Sequence, residues 1–231
     1  MEKTINIDFH AHVLPGMDHG CRNVDMAMEQ LHRAVAAGVD VVAATPHFYA
    51  HTETVAHFLE RRRSSVEELK KGIHAETGLP DVLVGAEVLI CPGLEHMEKL
   101  EELCLERTNV LLLEMPFTDR WEDELIDTAL KIKSSGIYVV LAHAERYKWS
   151  QVHRLTDKGI PVQLNVRAMA GGRHFIRVMR YLKENNVVAF GSDIHGVSDD
   201  YDKFKKIVKR YGAAAREVQG KTAELIYKGG L

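Results

Sequence analysis

The sequence lacks the marks of several common protein classes. Its three cysteines, Cys21, Cys91 and Cys104, are an odd number without Cys-x-x-Cys spacing. That usage predicts a reducing, cytoplasmic setting. No apolar run approaches the roughly 18 to 20 residues that a membrane span needs. A strand is expected almost at the first residue, so no signal peptide is expected either. The formal net charge is -3, which offers no general nucleic-acid surface. Cysteine-nucleophile phosphatases carry an arginine six positions after the cysteine. Here Ala27, Met97 and Val110 occupy those positions, so that chemistry is excluded. Linkers, low-complexity segments and sequence repeats are also missing.

What is present suits one α/β domain. A hydrophobic content of 45% in 231 residues is enough for a full core. Strands are expected over residues 4–7, 39–44, 82–85, 110–113, 138–142, 161–164 and 187–190. Helices are expected to follow them: to about 37 from a cap at Asn23 or Asp25, then near 53–76, 94–106, 121–135, 151–158 and 173–184. Two more are expected near 202–211 and 213–227. Met26, Leu31, Ala34 and Val35 read as the buried stripe of the first helix, closed by Gly38. The Arg61-Arg62-Arg63 run reads as a solvated face. Regular β/α alternation implies a parallel sheet. Seven units in this length favour a closed barrel over an open sheet, with residues 1–231 as a single domain.

The densest chemistry lies between Asp8 and Gly20, where three histidines and two aspartates fall in thirteen residues. His10 and His12 alternate, so they point to one side of an extended chain, roughly 6 to 7 Å apart at their backbones. Other metal-capable residues sit just after strands: His47, Glu87, Glu114, His143, and the pair Asp193 and His195. In a β/α barrel those strand ends open on one face. Ligands scattered in sequence therefore converge in space. With His19 they make six histidines and three carboxylates, more than one tetrahedral ion takes. Two or three divalent ions fit, with a carboxylate bridging. Three ions would leave a positive surplus that attracts a phosphate dianion and stabilises hydroxide. The bland alternative makes Glu87 and Glu114 salt-bridged barrel residues. Histidines 32, 51, 57, 74, 96, 153 and 174 read as ordinary surface or core residues, with His51, Tyr49 and Arg173 possible at the pocket mouth.

The ordered set of motifs resembles the polymerase and histidinol phosphatase (PHP) superfamily. It comprises Asp8-x-His10-x-His12 with Leu14-Pro15-Gly16-x-Asp18-x-Gly20, Thr45-Pro46-His47, Gly85-Ala86-Glu87, Leu113-Glu114, His143-x-Glu145-Arg146-Tyr147 and Gly191-Ser192-Asp193-x-His195. The Leu-Pro-Gly-Met-Asp and His-x-Glu-Arg-Tyr elements resemble more narrowly its bacterial protein-tyrosine phosphatase branch, associated with capsular and exopolysaccharide synthesis. The resemblance implies a distorted (β/α)7 TIM-like barrel and a site usually loaded with manganese, iron or zinc being alternatives. By resemblance, His10, His12, Glu87 and Asp193 hold a first ion. Glu87 bridges to a second with Glu114 and His143. His19, His47 and His195 hold a third, and Arg146 binds phosphate. Two departures stand out. The branch ordinarily has Asp where this chain has His19. It also has an arginine in the loop after its last Asp-x-His, where this chain has none; Arg167 or Arg173 would stand in.

The expected reaction is hydrolysis of a phosphomonoester by a metal-bridging hydroxide, with Arg146 on the equatorial oxygens. A tyrosine leaving group, with pKa near ~10, needs little help from an acid, and no dedicated acid is visible. The expected partner is a phosphotyrosine protein, by resemblance a bacterial tyrosine kinase tail. A small-metabolite phosphatase, for histidinol phosphate for example, is the nearest rival. A non-catalytic phosphotyrosine-binding protein is a further one. A nuclease is disfavoured because the chain lacks a basic stripe.

Overall fold

The strands are short and mostly apolar, and all but the partly exposed strand Asp81–Val84 are largely buried on both faces, a pattern that builds the ring at the centre of the molecule. The computed structural model describes residues 5–74, 76–170, 175–196 and 198–229. Thr4, Arg173 and His174 lie outside the described residues.

In chain order the elements begin with β1 (Ile7–Ala11), α1 (Val24–Ala37), β2 (Val41–Ala44), β3 (His47–Phe48) and α2 (Val55–Ile73). Next come β4 (Asp81–Val84), β5 (Glu87–Leu89), β6 (Val110–Glu114), α3 (Asp123–Ser134), β7 (Tyr138–Leu141) and α4 (Trp149–Thr156). The chain continues through β8 (Val162–Asn165), α5 (Val166–Met169), α6 (Phe175–Lys183), β9 (Val187–Gly191) and α7 (Asp200–Lys228). All strand pairs are parallel, in two runs, β1-β2-β4 and β3-β5-β6-β7-β8-β9. The runs join where Asp193 N donates to His10 O (2.7 Å) and His12 N to Ile194 O (3.2 Å).

The result is a distorted seven-stranded, TIM-like barrel in which two strands are each broken in two. β2 and β3 are separated at Thr45-Pro46, and β4 and β5 at Gly85-Ala86. Backbone bonds bridge the breaks, Gly85 N to Ala44 O at 2.8 Å and Glu87 N to Pro46 O at 3.0 Å. Leu105 occupies the gap beside Gly85, where a Cβ would lie 3.3 Å from its Cα. The breaks redirect His47 and Glu87, which pair in register at the start of β3 and β5.

The first strand runs to Ala11, so His10 lies within it and His12 just beyond, rather than both after an earlier strand. Asn23 caps α1 by accepting from Met26 N (3.0 Å), and Gly38 closes it with φ 79°. Leu31 and Ala34 of the expected stripe are buried, but Val35 is 41% exposed and Ala27 and Met28 take the core side. The helix expected over 94–106 is replaced by two single 3-10 turns, Leu94–His96 and Leu100–Leu103. The Lys99 backbone between them is left-handed (φ 63°), which interrupts an α-helix. The arginine run is solvated only in part: Arg63 is exposed, whereas Arg61 and Arg62 are half-buried and bonded. Arg62 donates to Gly85 O and Glu102 O, both at 2.9 Å, and Arg61 to Glu53 Oε1 at 2.6 Å. The Arg62 bonds brace α2 against the break between β4 and β5.

The C-terminal helix bends at Gly212 (φ 49°, ψ -106°), which divides it where two helices are expected. Its Leu225 and Ile226 pack with the inward-facing Ile7, Val41, Val110 and Val140, plugging the barrel. Gln219 fixes the plug by accepting from Ile7 N (2.9 Å) and donating to Ile7 O (3.1 Å). The apolar end is thereby closed, and the polar residues collect at the other end.

Two glycines predict opposite outcomes. A Cβ at Gly191 would lie 2.5 Å from His10 Cβ and 2.7 Å from Gln163 Nε2. Gly191→Ala should cost about 1–3 kcal/mol through overpacking. Exposed, helical Gly220 has nothing within 4 Å of a Cβ. Gly220→Ala should stabilise by about 0.5–1 kcal/mol. Denaturant midpoints of the two variants against the parent check both signs.

Candidate metal centre

Glu87, buried at the start of β5, is the hub. Its Oε1 lies 2.8 Å from His143 Nε2. Its Oε2 lies 2.9 Å from His47 Nδ1, 3.2 Å from His10 Nε2 and 3.4 Å from His12 Nε2. Asp193 Oδ1 lies 3.5 Å from His10 Nε2 and 3.4 Å from His12 Nε2, which are 3.1 Å from each other. Separations of this size are those between corners of a tetrahedron about 2.1 Å from its centre, the usual ligand distance for a zinc-like ion. Glu114 Oε1 stands 3.4 Å from His143 Nε2.

Nearby backbone and side chains aim these groups. His143 and Asp193 take left-handed conformations, φ 31° and 52°, as their strands end. Such conformations are uncommon outside glycine and concentrate at functional sites. Asp18 Oδ2 accepts from His12 Nδ1 (2.7 Å) and His47 N (3.0 Å), which turns His12 Nε2 toward Glu87. Gln163 Oε1 receives His143 N (2.8 Å) and contacts His10 Nδ1 (3.1 Å), fixing His10 Nε2 inward. Asp193 Oδ2 accepts from Asn165 Nδ2 (2.9 Å) and from Arg146 Nη2. Asp8 holds β1 to the Gly191-Ser192-Asp193 turn, accepting from Ser192 N (2.7 Å) and Ser192 Oγ (2.6 Å). This shell is the kind that orients metal ligands.

The charges are mutually dependent. Burial alone would raise the Glu87 pKa, but His10 and the other imidazoles hold it well below the usual carboxylate range. Asp193 is also held low against burial, by His10, His12 and Arg146. Burial would push His12 down, yet Asp18, Asp193 and Glu87 raise it well above its ordinary value. The same contest at His143, won by Glu114 and Glu87, lifts it to about 9. Burial and the neighbouring His12 push His195 down to about 4, leaving it neutral.

Several atoms here are ready for a cation. Glu87 Oε2, His47 Nδ1 and His195 Nε2 are buried and make no hydrogen bond. His47 Nδ1 and Glu87 Oε2 are close but wrongly aligned for one, as two ligands facing a common centre would be. Three overlapping donor groups have mutual distances within 4.8 Å: His10, His12 and Glu87; His47, Glu87 and Glu114; and His12, His47 and His195. Imidazole and carboxylate together suit manganese, iron or zinc. His19 is exposed, its ring stacked 4.4 Å from His195 and 5.1 Å from His47, and it joins none of these groups.

A family model for capsular polysaccharide synthesis, CpsB/CapC, matches residues 6–224. The chain belongs to the CpsB/CapC family. It is 29% identical to the tyrosine-protein phosphatase YwqE of Bacillus subtilis, over 96% of this chain and 91% of that protein. To the tyrosine-protein phosphatase CpsB of Streptococcus agalactiae it is 26% identical, over 83% of each. A solved structure from work on YwqE and the Streptococcus pneumoniae CpsB, described as metal-dependent tyrosine phosphatases, superposes with a TM-score of 0.83 at 25% identity, covering 97% of this chain and 95% of that one. A β-aspartyl dipeptidase from Fervidobacterium islandicum, at 14% identity and TM-score 0.54, covering 96% of this chain and 72% of that one, shares the fold alone.

Within this CpsB/CapC chain, the supporting shell is only partly legible in the sequence. Gln163 and Asn165 carry no distinctive spacing, whereas Asp18 belongs to the Leu14-Pro15-Gly16-x-Asp18-x-Gly20 motif. For Asp18 the signal was its place two residues before Gly20, whose N donates to its Oδ1 at 2.8 Å. Arg167 sits on the rim of a cleft of about 320 Å³ that also includes Arg146, Asp193 and His195. Its guanidinium is tied to Asp200 by two bonds, Nε to Oδ1 at 3.0 Å and Nη2 to Oδ2 at 2.9 Å. Tyr49 reaches the centre from the other side, stacking 5.3 Å from His47.

The pKa directions predict how metal loading responds to pH. Between the ordinary imidazole range and about 9, His143 in the metal-free fold keeps a proton that the unfolded chain has lost. That proton stabilises the metal-free fold below the ordinary imidazole pKa, and the contribution disappears as pH rises through about 9. A metal requires neutral imidazole, so loading at pH 7 should release roughly one proton or more per chain. Affinity should rise toward pH 9. An indicator dye in weak buffer records the release; loading without it would contradict the assignment of His143.

Proposed function

We propose that this chain is a metal-dependent phosphomonoester hydrolase acting on phosphotyrosine in proteins that regulate capsular or exopolysaccharide synthesis. The observation that carries the reading is one buried carboxylate, Glu87, shared by four imidazoles beside an arginine at the cleft. Membership of the CpsB/CapC family and the named activities of its relatives support the choice of substrate.

In this proposal His10, His12, Glu87 and Asp193 hold one ion, and Glu87, Glu114 and His143 a second. His47 and His195 hold a third, joined by His19 after rotation of its ring. Manganese is the proposed occupant, with iron or zinc as alternatives. When bound, the ions supply an activated water and Lewis-acid stabilisation of phosphoryl oxygens. The remaining work belongs to side chains. Arg146 gives its planar fork to the phosphate, exchanging part of its pairing with Asp193 for the substrate. Asp18 and Gln163 keep the imidazole tautomers fixed. Phenolate leaves without a strong acid, because its conjugate pKa is near ~10. Arg167 at the rim is proposed to steer acidic flanks of the substrate, and Arg173 remains a proposed contact. A tyrosine kinase tail is the proposed protein partner. All three cysteines are free, which suits a cytoplasmic setting, and no helix among the described residues is long and apolar enough to cross a membrane.

Phosphate release from a phosphotyrosyl peptide tests the reading. Chelator-stripped protein should be inactive and should recover on addition of manganese; no release with any divalent ion would sink it. Arg146→Ala should raise KM and lower kcat, with a combined loss of roughly 10²- to 10³-fold, while metal content stays intact. His10→Ala should lose metal and activity together, as elemental analysis alongside the assay would reveal.

A further inference from the structure

An exposed phenylalanine stands over the ionic site. Phe117 follows β6 and is 61% exposed. Single exposed apolar residues are ordinary, but this one is held in position. Its ring stacks on His143 (centroids 5.5 Å, planes 26° apart) and on Tyr147 (5.4 Å, 24°). The Arg146 guanidinium carbon lies 5.9 Å from its centroid. Tyr147 is buried and packs edge-on against buried Trp121 at 5.1 Å.

The backbone beneath Phe117 is pinned on both sides. Met115 N donates to Tyr147 Oη (3.1 Å), and Trp121 Nε1 donates to Pro116 O (3.0 Å). Thr118 N also donates to Pro116 O, at 2.8 Å. Pro116 has a fixed φ of its own. The segment therefore presents Phe117 from an ordered aromatic base. Arg146 also lines the adjoining cleft, whose other lining residues, Arg167, Ser198 and Asp200 among them, are polar.

We infer that Phe117 is a specificity-determining residue that stacks on the aryl ring of the substrate and selects aryl over alkyl phosphomonoesters. The inference rests on the phosphatase reading above and deepens it. In a phosphotyrosyl group the ring is one ester oxygen from phosphorus. A phosphate held by Arg146 therefore brings that ring within reach of Phe117, whose centroid lies 5.9 Å from the Arg146 guanidinium carbon. A serine or small alkyl phosphate has no face to offer there. Offset or edge-on aromatic pairs contribute about 0.5–1.5 kcal/mol beyond area burial, which corresponds to roughly two- to tenfold in affinity.

Competitive inhibition by phenylphosphonate and methylphosphonate reads this preference without a leaving-group effect. The reporter is p-nitrophenyl phosphate hydrolysis by manganese-loaded protein. The inhibition-constant ratio should favour phenylphosphonate in the parent. It should fall roughly two- to tenfold in Phe117→Ala and be retained in Phe117→Trp. An unchanged ratio in Phe117→Ala, with the parent active, overturns the role of Phe117 alone. Loss of the preference in Phe117→Trp as well overturns stacking as its cause. A parent that hydrolyses no reporter with any divalent ion overturns the phosphatase reading, and this inference with it.

Discussion

Glu87 is a carboxylate without access to water, and four imidazoles approach it from three segments of the chain, the end of β1, the start of β3 and the turn after β7. An isolated buried charge of this kind is costly unless it is paired. Here the pairing comes from His10 and the other imidazoles, and the carboxylates in turn lift the pKa values of His12 and His143. The same donors, once neutral, suit a cation. The fold thus holds protons where the proposed ions would bind. Protons and divalent ions would compete there for one set of lone pairs, and that competition would link fold stability to loading.

The barrel serves this arrangement by its irregularities more than by its regularity. Breaks at Pro46 and Gly85 set His47 and Glu87 side by side, and the braces from Arg62 keep the second break in place. Left-handed backbone at His143 and Asp193 swings their side chains inward as the strands end. The junction between β1 and β9 needs glycine at 191, because His10 and Gln163 fill the space a side chain would take. Each device lies at a strand terminus on the polar end, while Leu225 and Ile226 close the apolar end.

Much of this was legible in the sequence because its cause is local. Continuous apolar runs mark strands buried on both faces, and a ligand-type residue after nearly every run marks the face where they meet. The cap at Asn23, the stop at Gly38 and the bend at Gly212 are equally local signals. The rest depends on distant partners. Nothing near Gln163 in the chain announces that it will meet both His10 and His143. Arg62 looked like part of a solvated charge run, yet it reaches across to carbonyls on two other segments. Residues 94–106 have a helical composition, but the left-handed Lys99 and the packing of Leu105 beside Gly85 interrupt them. His19 belongs to the cluster by motif, whereas its ring stacks at the edge and its nitrogens stay outside the three donor groups.

The central claim is that Glu87 joins neighbouring metal positions. Metal stoichiometry by equilibrium dialysis and elemental analysis, compared between the parent and the nearly isosteric Glu87→Gln, tests it most directly. We predict two or three equivalents of manganese per chain in the parent, and a loss of at least about one equivalent in the variant, with weakened retention of a second. Equal stoichiometry and retention in the two proteins would contradict the account.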